Sequence, residues 1–145
     1  MAFRIFLDAN ILLDFTLKRE AAAYASARKL IEWAVNGRVQ VFITPAVLQE
    51  TGNWLTRAYG PERAKELLLA LLAEVQMIEA GHETAVGALH SRMMNINDAL
   101  SYYAALHQRL DYFITRDKDM LKAAIPVLPV CTPEEFLEQN GGEAL

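Results

Sequence analysis

Apolar positions along the chain fall into two patterns, short continuous runs and longer stretches with helical spacing. The runs at 3–7, 39–43, 75–78, 112–115 and 127–130 have the length of buried strands. Between them the period changes. Across 20–36, Tyr24, Ala27, Ile31 and Val35 recur at helical spacing, and Gly37 supplies a stop signal. Thr44 and Pro45 give an N-cap and first-turn proline to a helix carrying Val47, Leu48, Thr51, Leu55 and Ala58 on one side. Gly60 and Pro61 break the chain before a helix at 61–75, whose LLLALLA run is apolar nearly all round and wants burial on more than one face. Further helices are expected at 9–17, 83–93, 97–110, 117–124 and 132–138, the last opened by Thr132, Pro133 and Glu135 at capping-box spacing. Strands alternating with helices predict a three-layer α/β/α fold with a mainly parallel sheet. With 145 residues and no repeat or low-complexity stretch, the chain is expected to form a single domain over residues 1–145, with only the tail at Gly141 and Gly142 frayed.

Four acids punctuate this pattern. Asp8 and Asp117 directly follow the apolar runs at 3–7 and 112–115, so both should emerge at strand carboxyl ends, where open α/β sheets place their chemistry. Asp98 opens a helix, and Glu50 lies one turn inside another, two positions from Leu48 and so directed away from that helix's core side. Asp8 also stands beside the amides of a helix start, which favours its ionised form. Any one of these acids alone is an ordinary helix cap or surface charge. If all four converge, each pair about 4 Å apart repels by roughly 4 kcal/mol at an effective dielectric near 20, so the site must take up protons or cations. An all-oxygen donor set favours Mg²⁺ or Mn²⁺ over zinc, and His82, His90, His107 and Cys131 share no ligand-like spacing. Metal-assisted hydrolysis of phosphodiesters is the chemistry that fits.

The segments LDAN at Asp8, TPAVLQE at Glu50, NDALSYYAAL at Asp98 and FITRDKDML at Asp117 resemble, in that order, the PIN domain, and most closely the VapC-type toxins of toxin–antitoxin pairs. The resemblance spans nearly the whole chain. It implies a metal-dependent endoribonuclease with Asp8, Glu50, Asp98 and Asp117 as the acidic pocket, Asn10 and Thr115 supporting their geometry, a homodimer, and a small antitoxin partner. Where many relatives carry another acid before the third motif, this chain has Asn95 and Asn97, which leaves Asp119 as the available substitute. Asp14, one turn after Asn10, is either a supporting group or a surface charge. Two other readings compete: a phosphoryl-transfer domain using Asp8, weakened because Asn10 stands where a dehalogenase-like phosphatase needs a second Asp, and a non-catalytic PIN-like binding or dimerisation module.

Composition narrows the picture further. A net charge of −4 and a pI of about 5.4 exclude a bulk electrostatic nucleic-acid binder, so RNA would have to be held locally by cations and by bases such as Lys18, Arg19, Arg57, Arg116 and Lys118. Arg116 is the foremost candidate because it adjoins Asp117. The 53% hydrophobic content hints at subunit surface beyond a monomer core, which agrees with a dimer. A lone Cys131 forbids an intrachain disulfide and reads as a core residue. Met93 and Met94 read as core fillers, and Trp33 and Trp54 as packing residues. The first apolar run is interrupted by Asp8, so neither a signal peptide nor a membrane span is expected, and the cytoplasm is the default compartment.

Overall fold

The structure is a computed structural model that describes residues 2–141. Its elements follow the order β1 (Phe3–Leu7), α1 (Ala9–Leu17), α2 (Ala21–Val35), β2 (Val39–Ile43), α3 (Pro45–Tyr59), α4 (Pro61–Leu72), β3 (Val75–Met77), α5 (His82–His90), α6 (Ile96–His107), β4 (Tyr112–Ile114), α7 (Lys118–Ala123), β5 (Val130–Cys131) and α8 (Pro133–Asn140). The five strands form one all-parallel sheet in the order β3-β2-β1-β4-β5. β1 is therefore central. Connections run outward through β2 and β3, then cross back to β4 on the other flank of β1, which opens a crevice at the carboxyl ends of β1 and β4.

Alternation along β1 assigns the two faces. Phe3 meets Phe136 of α8 at 6.0 Å between ring centroids, and Phe136 in turn lies 6.0 Å from Trp33 of α2. Phe6, pointing the other way, stacks on Phe113 at 4.6 Å, with Tyr102 of α6 against Phe113 at 5.5 Å. Helices thus cover both sides, giving the three-layer α/β/α fold that the alternating pattern predicts. Ile5, Phe6, Leu7, Val41, Ile43, Phe113 and Ile114 are buried in the centre of this core.

Local chemistry sets the helix starts. Thr44 caps α3 by accepting from the Val47 amide, Asn95 caps α6 by accepting from the Asp98 amide at 3.0 Å, and Thr132 with Glu135 forms a reciprocal capping box on α8. Gly60 joins α3 to α4 with φ +86°, a conformation that a side chain resists.

Three expectations are corrected. The last strand is Val130–Cys131 and not 127–130, because the buried Tyr102 hydroxyl donates to the Leu128 carbonyl at 2.6 Å and accepts from the Ile125 amide at 3.0 Å, holding residues 125–128 in a turn. The LLLALLA helix buries only one side: Leu71 is 4% exposed but Leu69 is 69% exposed. Met94 fills no core gap either, being 92% exposed, whereas Met93 does pack against the core. Trp33 is buried as expected, while Trp54 stands half out of the surface beneath Arg57.

Candidate active site

Backbone pairing delivers the first two acids. The Asp8 amide donates to the Ile114 carbonyl at 3.0 Å, extending the β1–β4 ladder to the strand ends, so Asp8 and the Thr115–Asp117 segment leave the sheet side by side. Asp8 then caps α1, its Oδ1 accepting from the Ala9 amide at 2.8 Å, and Asp117 caps α7, its Oδ1 accepting from the Asp119 amide at 2.9 Å. Glu50 comes from α3 and Asp98 from the first turn of α6. Those two helices are tied together by the buried pair Thr44 Oγ1 and Ser101 Oγ at 3.2 Å.

Thr115 is fully buried and organises the centre. Its hydroxyl donates to Asp8 Oδ2 at 2.8 Å and accepts from the Asp117 amide at 3.1 Å and from Asn10 Nδ2 at 3.3 Å. Asn10 Nδ2 also reaches Asp8 Oδ2 at 3.4 Å, and Asn10 Oδ1 accepts from the Arg116 amide at 3.4 Å. Asn10 and Thr115 therefore fix the carboxylate of Asp8 from two directions.

Electrostatics show that the acids share one corner. Asp98 is pushed up to about 6, by burial first and then by the charges of Asp8, Asp117, Glu50 and Asp119. Glu50, at the exposed rim, is raised by partial burial and by Asp8. Asp8 is raised as well. The hydrogen bonds from Thr115 and Ala9 pull it down, but loss of water around it outweighs them, and Asp117 adds to the rise. The expectation that the helix start would favour an ionised Asp8 is thus corrected: desolvation is the larger effect. Among the described residues, no Lys, Arg or His forms an ion pair with any of these four acids.

Four of the five basic residues expected near the motifs are engaged elsewhere. Arg19 pairs with Asp14 at 3.4 Å, Lys18 lies over the Tyr24 ring, and Arg57 over Trp54. The Arg116 guanidinium is held between Asp14 and Glu134 and does not face the acidic corner with a vacant edge. Asp14 is buried at 6% exposure and so is not a surface charge. Glu134 gave no signal in the sequence, where an acid after Pro133 reads only as a favourable first-turn charge. Beside Asp98, Asp117 and Asp119 opens a cleft of about 410 Å³ walled by Arg92, Met93, Met94 and Met120, which the sequence did not single out as a surface. Cys131 is buried and its thiol is pushed up to about 12, mainly by burial, so it stays protonated and is no nucleophile.

Whether this corner suits a divalent cation can be judged from its donors. Among the described residues, no three Asp, Glu, His or Cys side chains close on a single coordination point. Mg²⁺ retains several waters and is bound through one or two carboxylates, so a set of hard oxygen donors without a closed three-ligand point is chemically compatible with it. Asp8, Glu50 and Asp98 are all raised, by burial first and by one another's or Asp117's charge second, and no basic side chain among the described residues pairs with them.

The family model for the PIN domain matches residues 5–126. No curated protein matches the chain. Solved structures similar to it include VapBC2 from Rickettsia felis bound to a DNA fragment from their promoter, at 16% identity and TM-score 0.66, covering 88% of this chain and 97% of that one. The chain is also similar to Mycobacterium tuberculosis VapC20, described as a Sarcin-Ricin loop cleaving toxin, at 21% identity and TM-score 0.65, with coverage of 83% and 95%. A toxin–antitoxin complex from Klebsiella pneumoniae aligns at 23% identity and TM-score 0.66, with coverage of 89% and 97%. At these identities the likeness is one of fold.

Proposed function

Because the chain belongs to the PIN-domain family, we propose that it is a Mg²⁺- or Mn²⁺-dependent endoribonuclease, acting as one domain in the cytoplasm as the toxin of a type II toxin–antitoxin pair. The observation that carries this reading is the convergence of Asp8, Glu50, Asp98 and Asp117 on one corner without a basic partner. When bound there, the cation would lower the pKa of the attacking water and neutralise charge on the phosphate. Asp8, Asp98 and Asp117 would hold it, with Asp119 assisting at the edge. Glu50, on the open rim, would contact the ion or orient the water and take up its proton. Asn10 and Thr115 keep Asp8 aimed into the corner through the bonds already described. The cleft walled by Arg92, Met93 and Met94 would receive the RNA strand beside the scissile phosphate.

Two partners belong to this reading. Uncovered apolar side chains on α5 and around the start of α6, Val86, Leu89, Met94 and Ile96, support a homodimer. The apolar groove lined by Phe15, Tyr24, Ile31 and Val35 between α1 and α2 would seat the antitoxin's C-terminal segment, which would offer a basic side chain to the acids. That two of the similar structures contain a toxin with its antitoxin supports such a partner. A non-catalytic PIN-like module is the second reading, favoured by the absence of a ready three-ligand point among the described residues.

Cleavage separates the two. RNA should be cut in Mn²⁺ or Mg²⁺ and spared in EDTA, with Asp8→Asn, Asp98→Asn and Asp117→Asn each losing nearly all activity while folded, and Glu50→Gln strongly impaired. Mn²⁺ should also raise the melting temperature by linkage, a gain that Asp8→Asn largely removes. Full cleavage by Asp98→Asn would refute this assignment of the site, and a folded wild-type chain inert in every divalent metal would favour the module.

A further inference from the structure

Arg116 is the residue whose surroundings differ most from what its position beside Asp117 suggests. Its Nε donates to Asp14 Oδ2 at 2.8 Å, and its Nη1 and Nη2 donate to Glu134 Oε1 and Oε2 at 2.7 Å each. This is a bidentate fork with a third bond on its side, the arrangement that guanidinium geometry makes strong and rigid. Asp14 is further held by Arg19. The side chain of Arg116 is thereby committed to α1 and α8, and its backbone amide to Asn10 Oδ1. On either side of it stand Thr115, whose hydroxyl sets Asp8, and Asp117, whose amide bonds that same hydroxyl.

We propose that Arg116 is a positioning residue, a strut between Asp14 and Glu134 that fixes the Thr115–Asp117 backbone and through it both carboxylates, and that it does not contact the RNA phosphate. The inference rests on the metal-nuclease reading above. Its consequence is that Glu134, on the C-terminal helix and outside the acidic corner, governs how well that corner binds a cation.

Glu134→Gln separates the strut from its rival. If Arg116 were a phosphate ligand restrained by Glu134, releasing it would lower KM for RNA and steepen the salt dependence of binding by about one unit. As a strut, its loosening should weaken Mn²⁺ binding about tenfold, the lower end of what supporting partners of metal ligands contribute, and lower kcat with KM within twofold of wild type. Calorimetric Mn²⁺ titration of the full chain reads the first quantity without reference to activity. Arg116→Gln should act in the same direction, although removing a positive charge near an acidic site would by itself tighten cation binding. Arg116→Lys, which keeps the charge and loses the fork, should also weaken it. In metal-free protein the Thr115 and Asp117 amide resonances should shift in Glu134→Gln while the α3 resonances hold. Unchanged or tighter Mn²⁺ binding in both Glu134→Gln and Arg116→Lys, or unmoved amides in Glu134→Gln, would overturn the strut. Failure of the folded wild type to bind Mn²⁺ would instead overturn the metal reading beneath it.

Discussion

At the scale of single residues, the acids differ in how their charge is tolerated. Asp98 has the raised value of about 6, so from the unfolded-state pKa near 4 up to that value the native state holds a proton that the unfolded chain has released. A proton bound more tightly by the native state means that stability falls as pH rises through this window, and the cost is fully present above about 6. Metal-free Asp98→Asn should therefore melt higher than wild type at pH 7.5, and its advantage should fade as the pH is lowered toward 5, in paired melting curves in EDTA. For a domain of this size each ~1 kcal/mol reads as roughly 3 °C. Equal curves at pH 7.5 would mean that neither burial nor the neighbouring charges penalise the ionised Asp98. Sequence reasoning singled out Asp8 and Asp117 because each follows a strand, Asp98 because it opens a helix, and Glu50 because it lies one turn inside a helix on the side away from the core. It did not find the balance at Asp8, where burial outweighs the bonds from Thr115 and Ala9, since burial comes from the rest of the fold. Nor did it foresee that Arg116 points between Asp14 and Glu134, a contact between positions far apart in the chain.

Elements with local signals were legible. Thr44 with Pro45, Thr132 with Glu135, and Gly60 with Pro61 mark boundaries by chemistry within a few residues, and the structure places helix ends there. Where the signal is distant, the reading failed. The run at 127–130 has strand-like composition, yet Tyr102, more than twenty positions earlier, captures the Ile125 and Leu128 backbone and leaves only Val130 and Cys131 to pair with β4. The α3–α4 corner offers a test of a local signal. Gly60 adopts φ +86° and ψ 163°, a region essentially reserved for glycine, so Gly60→Ala should cost about 1–3 kcal/mol through backbone strain, although a Cβ there meets nothing within 4 Å. Urea unfolding should show a lower midpoint with an unchanged slope. A midpoint equal to wild type would show that the corner relaxes without penalty.

For the whole molecule, apolar content outruns what one copy buries. Leu69, Leu89, Met94 and Ile96 are all more than half exposed, on elements that leave the sheet core otherwise complete. The proposed homodimer should appear in light scattering as about twice the 16.3 kDa chain mass, and Leu89→Lys with Ile96→Lys should reduce it to one. A monodisperse single copy of the unaltered chain would remove the dimer. No helix among the described residues is long and apolar enough to cross a membrane, so these side chains are not accounted for by a helical span. A mainly parallel sheet between two helical layers was legible from alternation, whereas the surface left over by packing was visible only as an excess of hydrophobic residues.

The strand order has a consequence for how the protein is made. β1 sits in the middle of the sheet, between β2, which follows soon after, and β4, which arrives more than a hundred residues after β1 begins. At about 5–20 residues per second, a growing chain spends roughly 5–20 s with Asp8 already synthesised and Asp117 not yet joined to it. Throughout that interval one edge of β1 has no neighbour, and the corner has at most three of its four acids. Under the nuclease reading proposed above, a nascent chain on the ribosome, itself built of RNA, would lack a complete site until β4 inserts beside β1, and the same late insertion closes the exposed strand edge. Insertion of β4 and completion of the acidic corner are one event.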